Sequence, residues 1–284
     1  MNSSKTLFQN AVNELLGVYP DREAQSIIFI LFENFYGLRR IDVMMDKAIA
    51  DFDQVKYNQA IERLKKAEPI QYVLENAWFL DRQFYVNSSV LIPRNETEEL
   101  VQMIISNHKN DSSLNIIDLG TGSGCIAISL KLALPNANVY ALDISKEALE
   151  IAKKNAQNLG VEINFLNADM RVEISDLPTF DIVVSNPPYV TMSEKKVMNT
   201  NVLAYEPHLA LFVEDTHPLE FYEAIADFGE SRLNPQGKLY LEINEHLGPE
   251  TATMLQQKGY SNVEIIQDIH SKNRMISASF KDNN

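Results

Sequence analysis

The sequence predicts an α/β fold in which a mostly parallel, seven-stranded sheet follows a small helical domain. From residue 114 onward, short β-branched and aliphatic runs alternate with segments of helical periodicity, which is the pattern of a parallel sheet covered by helices on both faces. The last two apolar runs follow each other without a helix between them, which predicts an antiparallel hairpin at one edge. Residues 4 to about 67 instead carry apolar side chains at helical spacing.

Three regions follow from these patterns. Residues 1–75 form the helical domain, in which Asp21 caps a helix that closes at Gly37 and a later helix ends before Pro69. Residues 76–93 hold short aromatic and aliphatic runs separated by polar residues, which predicts a β-hairpin connector. Residues 94–284 form the sheet domain, which opens with a helix at Asn95 or Thr97.

The sheet domain is predicted element by element. Strands are expected near 114–119, 138–143, 162–166, 180–185, 237–243, 262–267 and 274–280. Helices are expected near 123–134, 146–159, 218–232 and 249–258. The segment 190–217 carries little periodicity, which is typical of a lid or a binding loop.

Composition and charge limit the function classes. Of the 284 residues, 45% are hydrophobic and 23% are charged, as in ordinary globular proteins. No apolar run reaches the roughly 18 residues that span a bilayer, the N-terminus lacks a secretory h-region, and a single cysteine, Cys125, allows no internal disulfide. We therefore expect a cytoplasmic protein, with a monomer as the default. The net charge of −14 disfavours binding of nucleic acid through its phosphates, and the five scattered histidines lack metal-ligand spacing.

A glycine-rich turn follows the first strand of the predicted sheet. The run Asp118-Leu-Gly-Thr-Gly-Ser-Gly124 places glycines at alternate positions, so that a ligand can approach main-chain N–H groups. Asp143 ends the next strand, where a carboxylate can accept hydrogen bonds from both ribose hydroxyls. The run also fits a loose dinucleotide fingerprint. S-adenosylmethionine is favoured over NAD because three glycines follow Asp118, which is available for an ammonium group or the nearby turn, and because polar groups, including Asp169, follow the next strands.

The run Asn186-Pro187-Pro188-Tyr189 ends the fourth predicted strand. Proline lacks an N–H and holds its predecessor extended, so the Asn186 side-chain oxygen and the Pro187 carbonyl remain as two acceptors at the strand end. Tyr189 adds an aromatic surface beside them. A planar NH2 group could donate both hydrogens here and stack on the ring. The run therefore predicts a site for a carboxamide or a nucleobase amine, although Asn and Pro are also ordinary turn residues.

These motifs resemble the class I S-adenosylmethionine-dependent methyltransferases and, more narrowly, the peptide-chain release factor N5-glutamine methyltransferases. The resemblance covers nearly the whole chain, through residues 68–72, 84–86, 90–94, 96–98, 118–124, 186–189, 205–207, 210–211 and 273–274. The stretch Leu91-Ile-Pro-Arg94 with its acidic continuation separates this family from other enzymes with Asn-Pro-Pro-Tyr. The chain departs from the family pattern at Glu75, Asn95, Met170 and Asn244.

The resemblance implies a Rossmann-like methyltransferase domain and a role for each site residue. The methionine part of the cofactor would be held by Gly120, Thr121, Gly122, Ser123 and Gly124. Asp143 would bind the ribose, and Asp169 and Met170 would flank the adenine. The substrate glutamine would be held by Asn186, Pro187, Pro188 and Tyr189; of these, Asn186, Pro187 and Tyr189 are the predicted catalytic residues, and Asn186 also borders the cofactor. No metal is implied.

The implied reaction moves a methyl group from S-adenosylmethionine to the N5 atom of the glutamine in the Gly-Gly-Gln motif of release factors. S-adenosylhomocysteine is the second product, and the helical domain would recognise the protein substrate. Alternatives are an adenine-N6 or cytosine-N4 nucleic acid methyltransferase, which needs a basic surface, and a ribosomal-protein glutamine methyltransferase. A non-catalytic cofactor-binding scaffold and a dehydrogenase leave the Asn-Pro-Pro-Tyr run without a use.

Overall fold

The computed structural model describes residues 2–111 and 113–280, which form two compact units. The first unit takes in the chain up to Asn76 together with Asn199–Tyr205. The second takes in Ala77–Met198 and the chain from Glu206 onward. The return of residues 199–205 to the helical unit is a long-range event that no local pattern indicated.

The helices and strands have the following bounds. The helices are α1 (Ser4–Leu15), α2 (Asp21–Tyr36), α3 (Arg40–Met44), α4 (Gln54–Leu64), α5 (Ile70–Leu74), α6 (Asn95–His108), α7 (Cys125–Ala133), α8 (Lys146–Leu159), α9 (Thr200–Tyr205), α10 (Glu220–Arg232) and α11 (Gly248–Gln257). The strands are β1 (Asn2–Ser3), β2 (Ala48–Ile49), β3 (Asn76–Phe79), β4 (Arg82–Tyr85), β5 (Asn115–Leu119), β6 (Asn138–Asp143), β7 (Asn164–Asn167), β8 (Phe180–Ser185), β9 (Val190–Thr191), β10 (Phe212–Val213), β11 (Leu233–Glu242), β12 (Tyr260–Gln267) and β13 (Asn273–Phe280).

The first unit is helical, as predicted. Its core is a stripe of fully buried aliphatic and aromatic side chains from α1, α2 and α4, including Leu15, Leu31 and Leu64. Gly37 ends α2 in the left-handed conformation, with φ of +63°, where glycine carries no steric penalty. Asp21 does not cap α2, because it is the first helical residue and Pro20 precedes it as the cap.

The second unit contains the predicted seven-stranded sheet, with strand order β12-β13-β11-β8-β5-β6-β7. The five strands from β11 to β7 are parallel to one another, and β13 runs antiparallel to both β11 and β12. The fold class is therefore confirmed, including the antiparallel hairpin at the edge. Strand β11 begins earlier than predicted because a register shift between Leu233 and Lys238 lets the chain pair with β8 again upstream.

Helices cover both faces of this sheet. Neighbouring residues of β5 point to opposite faces, so Ile116 packs in the cluster of α6 and α7 while Ile117 packs in the cluster of α10 and α11. Both isoleucines are fully buried. Because the central strands are parallel, the segments that follow β5, β6, β7 and β8 leave the sheet at the same edge, where open α/β sheets bind ligands.

Two segments differ from their predicted form. In the connector, β3 and β4 pair as predicted, but residues 90–92 form no strand; instead, the Ile92 N–H donates to the Glu206 carboxylate. Residues 190–217 are more ordered than their weak periodicity suggests, since β9 and β10 pair in parallel around two 3-10 turns and α9. Both outcomes depend on partners distant in sequence.

Gly124 is expected to be the least replaceable glycine of the glycine-rich turn for stability. Its φ is +81°, and a Cβ there would lie 2.9 Å from Ile128 Cδ1 and 3.1 Å from Ala152 Cβ, so Gly124→Ala adds overpacking, about 1–3 kcal/mol, to a left-handed strain of about 1–2 kcal/mol. Gly160 has a similar φ of +69° with open space around it, which makes Gly160→Ala the matched control. Denaturant unfolding followed by circular dichroism should show the larger loss for Gly124→Ala; equal losses would contradict the packing argument.

Candidate active site

A pocket opens at the carboxyl edge of the sheet, within the second unit. Nine of the predicted site residues line it: Gly120, Thr121, Gly122, Ser123, Asp143, Asp169, Met170, Asn186 and Pro188. Gly124, Pro187 and Tyr189 do not line it. Gly124 instead packs between α7 and α8, and Pro187 is a buried residue between Asn186 and Pro188, which do line the pocket.

The glycine-rich turn crosses the floor of this pocket. The N–H groups of Gly120 and Thr121 both donate to the Leu142 carbonyl, at 2.8 and 2.9 Å, which ties the end of β5 to β6. A Cβ on Gly120 would lie 3.2 Å from the Met170 methyl group. Because Gly120 has no side chain, Met170 can pack against the turn, whose N–H groups at Gly120 and Thr121 are already bonded to Leu142.

Asp143 connects the turn to the next strand. Its two carboxylate oxygens accept from the N–H groups of Gly122 and Ser145, at 2.8 and 2.9 Å. Burial raises the pKa of this carboxyl, and these backbone hydrogen bonds oppose the shift. A carboxylate has about four acceptor positions, so Asp143 retains capacity for hydroxyl donors at the pocket wall.

Asp169 and Met170 follow β7 on the far side of the pocket. The Asp169 carboxylate is paired with the Arg171 guanidinium at 2.8 Å, and Arg171 also reaches Glu220 at the same distance. These hydrogen bonds from Arg171 lower the pKa of Asp169. The pair holds Asp169 ionised and fixes the turn that presents Met170.

Asp118 lies beneath the turn and is fully buried. The nearby turn is one partner of Asp118, because Thr121 Oγ1 donates to Asp118 Oδ2 at 2.6 Å. Among the described residues, no donor meets hydrogen-bond geometry at the second oxygen, Oδ1, although the Ala127 N–H lies close enough to oppose the pKa shift. Desolvation raises the pKa of Asp118 to about 7, because an ionised carboxylate is costly at such a position.

This shift predicts a measurable dependence of stability on pH. Since the pKa of Asp118 is raised above its ordinary value, the folded protein binds the proton more tightly, and this contribution to stability is lost as pH rises from about 4 to 7. Asp118→Asn removes the titration. The unfolding free energy of the variant minus that of the wild type should therefore increase by about 2–3 kcal/mol when the pH is raised from 5 to 8. Denaturant titrations at both pH values measure this difference, and a constant difference would contradict the assignment.

Asn186 belongs to a hydrogen-bonded chain that ends on a buried carboxylate. Asn186 Nδ2 donates to Thr97 Oγ1 at 3.0 Å, and Thr97 Oγ1 donates to Glu242 Oε2 at 2.6 Å. Tyr189 OH donates to Glu242 Oε1 at 2.9 Å. Glu242 is 1% exposed and Thr97 2% exposed. Tyr189 thus contacts Glu242 through its hydroxyl, and its predicted packing on a substrate amide stays a prediction.

Asn244 fixes the chain just after the Asn-Pro-Pro-Tyr run. Its Nδ2 donates to the Tyr189 carbonyl at 3.1 Å and to the Glu194 carboxylate at 3.0 Å. Glu194 in turn accepts from the Thr191 N–H at 2.8 Å. Asn244, one of the positions at which the chain departs from the family pattern, therefore stabilises the segment that leaves the site.

An ion pair between the buried Glu206 carboxylate and the partly exposed Arg94 guanidinium joins two chain segments at the pocket rim. Arg94 Nη2 lies 2.6 Å from Glu206 Oε1, and the Glu206 side chain is 1% exposed. Arg94 lines the pocket, as do Pro207 and Leu209 on the other segment. This pair anchors the segment after Glu206 against the segment before α6.

Sequence reasoning did not assign roles to Thr97, Glu242, Arg94 or Glu206. Glu242 carried one usable signal, because it is the only charged residue in the run Leu239-Tyr-Leu-Glu-Ile243, which is otherwise apolar or aromatic. A charge is costly inside a sheet unless it is hydrogen-bonded. The other three lie in ordinary loop or helix-start contexts, where a polar residue needs no special explanation.

Comparison with known proteins finds a matching family model and similar proteins that cover most of the chain. Residues 94–209 match the family model described as "Methyltransferase small domain". The chain is 44% identical over 276 residues to the release factor glutamine methyltransferase of Flavobacterium psychrophilum, covering 95% of this chain and 96% of the relative. It is 43% identical to the enzyme of the same name from Bacteroides thetaiotaomicron, over 93% of this chain and 96% of that one.

The fold also has relatives among solved structures. A methyltransferase from Pyrococcus furiosus superposes with a TM-score of 0.52 at 17% identity, over 80% of this chain and 96% of that chain. The family predicted from the sequence motifs is confirmed by the relatives with more than 40% identity: the chain belongs to the release factor glutamine methyltransferases.

Proposed function

We propose that this protein transfers a methyl group from S-adenosylmethionine to the side-chain amide nitrogen, N5, of the glutamine in the Gly-Gly-Gln motif of peptide-chain release factors. The observation that carries the proposal is the carboxamide of Asn186 at the pocket wall, whose NH2 group is held by Thr97. This orientation turns the Asn186 carbonyl oxygen away from Thr97 as a fixed acceptor. An acceptor, and not a base, is what a neutral amide substrate needs.

The pocket residues fit S-adenosylmethionine as the methyl donor. The turn at Gly120 and Gly122, which carries no side chains at these positions, leaves room for the methionine part, and the carboxylate of Asp143 suits the ribose hydroxyls. Met170 offers an apolar surface for the adenine, beside Asp169. When bound, the cofactor supplies a methyl group activated by its sulfonium, and S-adenosylhomocysteine is left. The match to a methyltransferase family model and the similarity to release factor glutamine methyltransferases support this assignment.

The protein's own part in the reaction is orientation. An amide nitrogen is a poor nucleophile because its lone pair is delocalised into the carbonyl group. We propose that Asn186 Oδ1 and the Pro187 carbonyl accept the two amide hydrogens, which aims the nitrogen at the methyl group and favours positive charge developing on it. Pro188 and Tyr189 complete the substrate side of the site. The proton is lost after transfer, so the chemistry requires no strong base.

The remaining assignments belong to the same proposal. We propose that the helical unit, residues 1–75, recognises the protein substrate, that the connector spans residues 76–93, and that residues 94–284 carry the reaction. A cytoplasmic monomer fits this role. Among the described residues, no helix combines the length and the apolar character needed to cross a bilayer.

A methyl-transfer assay with labelled S-adenosylmethionine tests the proposal. Purified release factor, ribosomal protein and unmethylated DNA are offered in parallel, and labelled peptides are mapped by mass spectrometry. Label on the glutamine of the Gly-Gly-Gln loop is the expected result. Label on DNA would support the nucleobase alternative instead, which the net charge of −14 already disfavours. Label on ribosomal protein alone would mean that the reaction is the same but that the substrate is a ribosomal protein and not a release factor.

A further inference from the structure

We propose that Glu242 is a positioning residue, which sets the orientation of the Asn186 carboxamide through the hydroxyl of Thr97. The proposal rests on the proposed function in one respect, which is that the oriented Asn186 oxygen accepts a hydrogen bond from the substrate amide. The starting observation is that Glu242 is the last residue of β11, that Asn186 directly follows the neighbouring parallel strand β8, and that Glu242 does not itself line the pocket. Burying a carboxylate is costly unless it is hydrogen-bonded, so its hydrogen-bond partners indicate what it does beside the site.

The donor and acceptor capacities of Glu242, Thr97 and Asn186 determine the direction of the hydrogen bonds between them. A hydroxyl has one proton to donate, and a carboxylate is an acceptor only. Thr97 Oγ1 lies 2.6 Å from Glu242 Oε2, so its proton is committed to the carboxylate. The Thr97 oxygen can then only accept. Asn186 must therefore turn its NH2 group toward Thr97, as the 3.0 Å contact shows, and its Oδ1 atom the other way.

Tyr189 holds the other oxygen of the same carboxylate. Its hydroxyl donates to Glu242 Oε1 at 2.9 Å. Each carboxylate oxygen therefore accepts from one donor, and these two hydrogen bonds fix the rotation of the carboxyl group. Burial raises the pKa of Glu242, while the hydrogen bonds from Thr97 and Tyr189 and the positive charge of Arg274 lower it. Glu96 is the acidic neighbour that opposes them. The net direction of the pKa shift is upward, and in the structure both hydroxyls donate to the carboxylate oxygens, which act as acceptors.

The consequence is chemical. The oxygen and NH2 ends of the Asn186 carboxamide are nearly equal in shape. Without the hydrogen bonds that link it through Thr97 to Glu242, the amide could present either end to the pocket. An NH2 group there would meet the NH2 group of the substrate glutamine, two donors facing each other. Glu242 and Thr97 thus determine that the site accepts an amide nitrogen and does not accept a carbonyl oxygen in its place.

The first test uses the free protein, without cofactor or substrate. In 15N-labelled protein, the side-chain NH2 signals of Asn186 are assigned by their loss in Asn186→Ala, and their solvent exchange is measured. Thr97→Val should speed this exchange at least about tenfold, and Thr97→Ser should restore slow exchange. Thr253→Val, which removes a hydroxyl that donates to the Pro249 carbonyl in α11, is the matched control and should leave the signals unchanged.

Glu242→Gln is the second variant. A carboxamide at this position can offer either an oxygen or an NH2 group to Thr97, so both orientations of Asn186 become satisfied and its signals should split or broaden. A residue that only filled space would not produce this pattern. Unchanged Asn186 signals in both Thr97→Val and Glu242→Gln would overturn the proposal.

Turnover completes the experiment. Thr97→Val should lower kcat about 10- to 100-fold with an unchanged Kd for S-adenosylhomocysteine, and Thr97→Ser should recover most of it. If the wild type failed to methylate release factor while the Asn186 signals followed the predicted pattern, the proposed substrate would be wrong and the positioning role would stand. A wild-type kcat in Thr97→Val would overturn the positioning role.

Discussion

Asn186→Ala is expected to abolish methyl transfer while the affinity for S-adenosylmethionine remains close to that of the wild type. The Asn186 carboxamide lies at the pocket wall and is held by Thr97 at 3.0 Å. Removing it deletes the acceptor proposed to orient the substrate amide, and loss of one preorganised polar contact of this kind costs about 100- to 1,000-fold in kcat. Cofactor contacts are predicted to come mainly from the glycine-rich turn and Asp143, which this change does not touch.

The measurement separates the two effects. Single-turnover rates report the transfer step, and calorimetric titration with S-adenosylhomocysteine reports binding. Asp143→Ala is the matched opposite, because its carboxylate accepts from the N–H of Gly122 inside the turn; it should weaken binding first and slow transfer less at saturating cofactor. Equal loss of binding and turnover in Asn186→Ala would contradict the role assigned to Asn186.

The elements around this site could be predicted because their signals are local. Short β-branched and aliphatic runs mark the strands, glycines at positions 120, 122 and 124 mark the turn, and the prolines after Asn186 mark a strand end. Parallel pairing then brings these strand ends together without further information. Nine predicted residues meet in one pocket for this reason.

The groups that hold those residues could not be predicted, because their partners are remote. Asn186 reaches Thr97 across 89 positions of sequence, Thr97 reaches Glu242 across 145, and Arg94 reaches Glu206 across 112. A local pattern cannot encode such a pairing. Only the cost of burying a polar group predicts that a partner exists, and it does not say which residue the partner is.

Arg94→Ala is expected to produce the largest loss of stability of the variants considered. The Glu206 side chain is 1% exposed, so removing the guanidinium 2.6 Å away leaves a buried charge. Among the described residues, the Ile92 N–H is the donor that remains. Breaking one partner of a buried pair costs about 3–5 kcal/mol, much of it from the uncompensated charge. Denaturant unfolding of the full chain, followed by circular dichroism, measures the loss.

The double variant Arg94→Ala with Glu206→Gln shows whether the buried charge is the cause. Glutamine keeps an oxygen for the Ile92 N–H, which now donates at 3.1 Å, and removes the charge that Arg94 compensated. If desolvation of the carboxylate dominates, the double variant should be more stable than Arg94→Ala alone by at least about 1 kcal/mol. A double variant that is no more stable would instead assign the loss to the missing packing of the Arg94 stem, since long cationic side chains also cover apolar surface. The same comparison bears on function, because Arg94 and the residues after Glu206 line the pocket together.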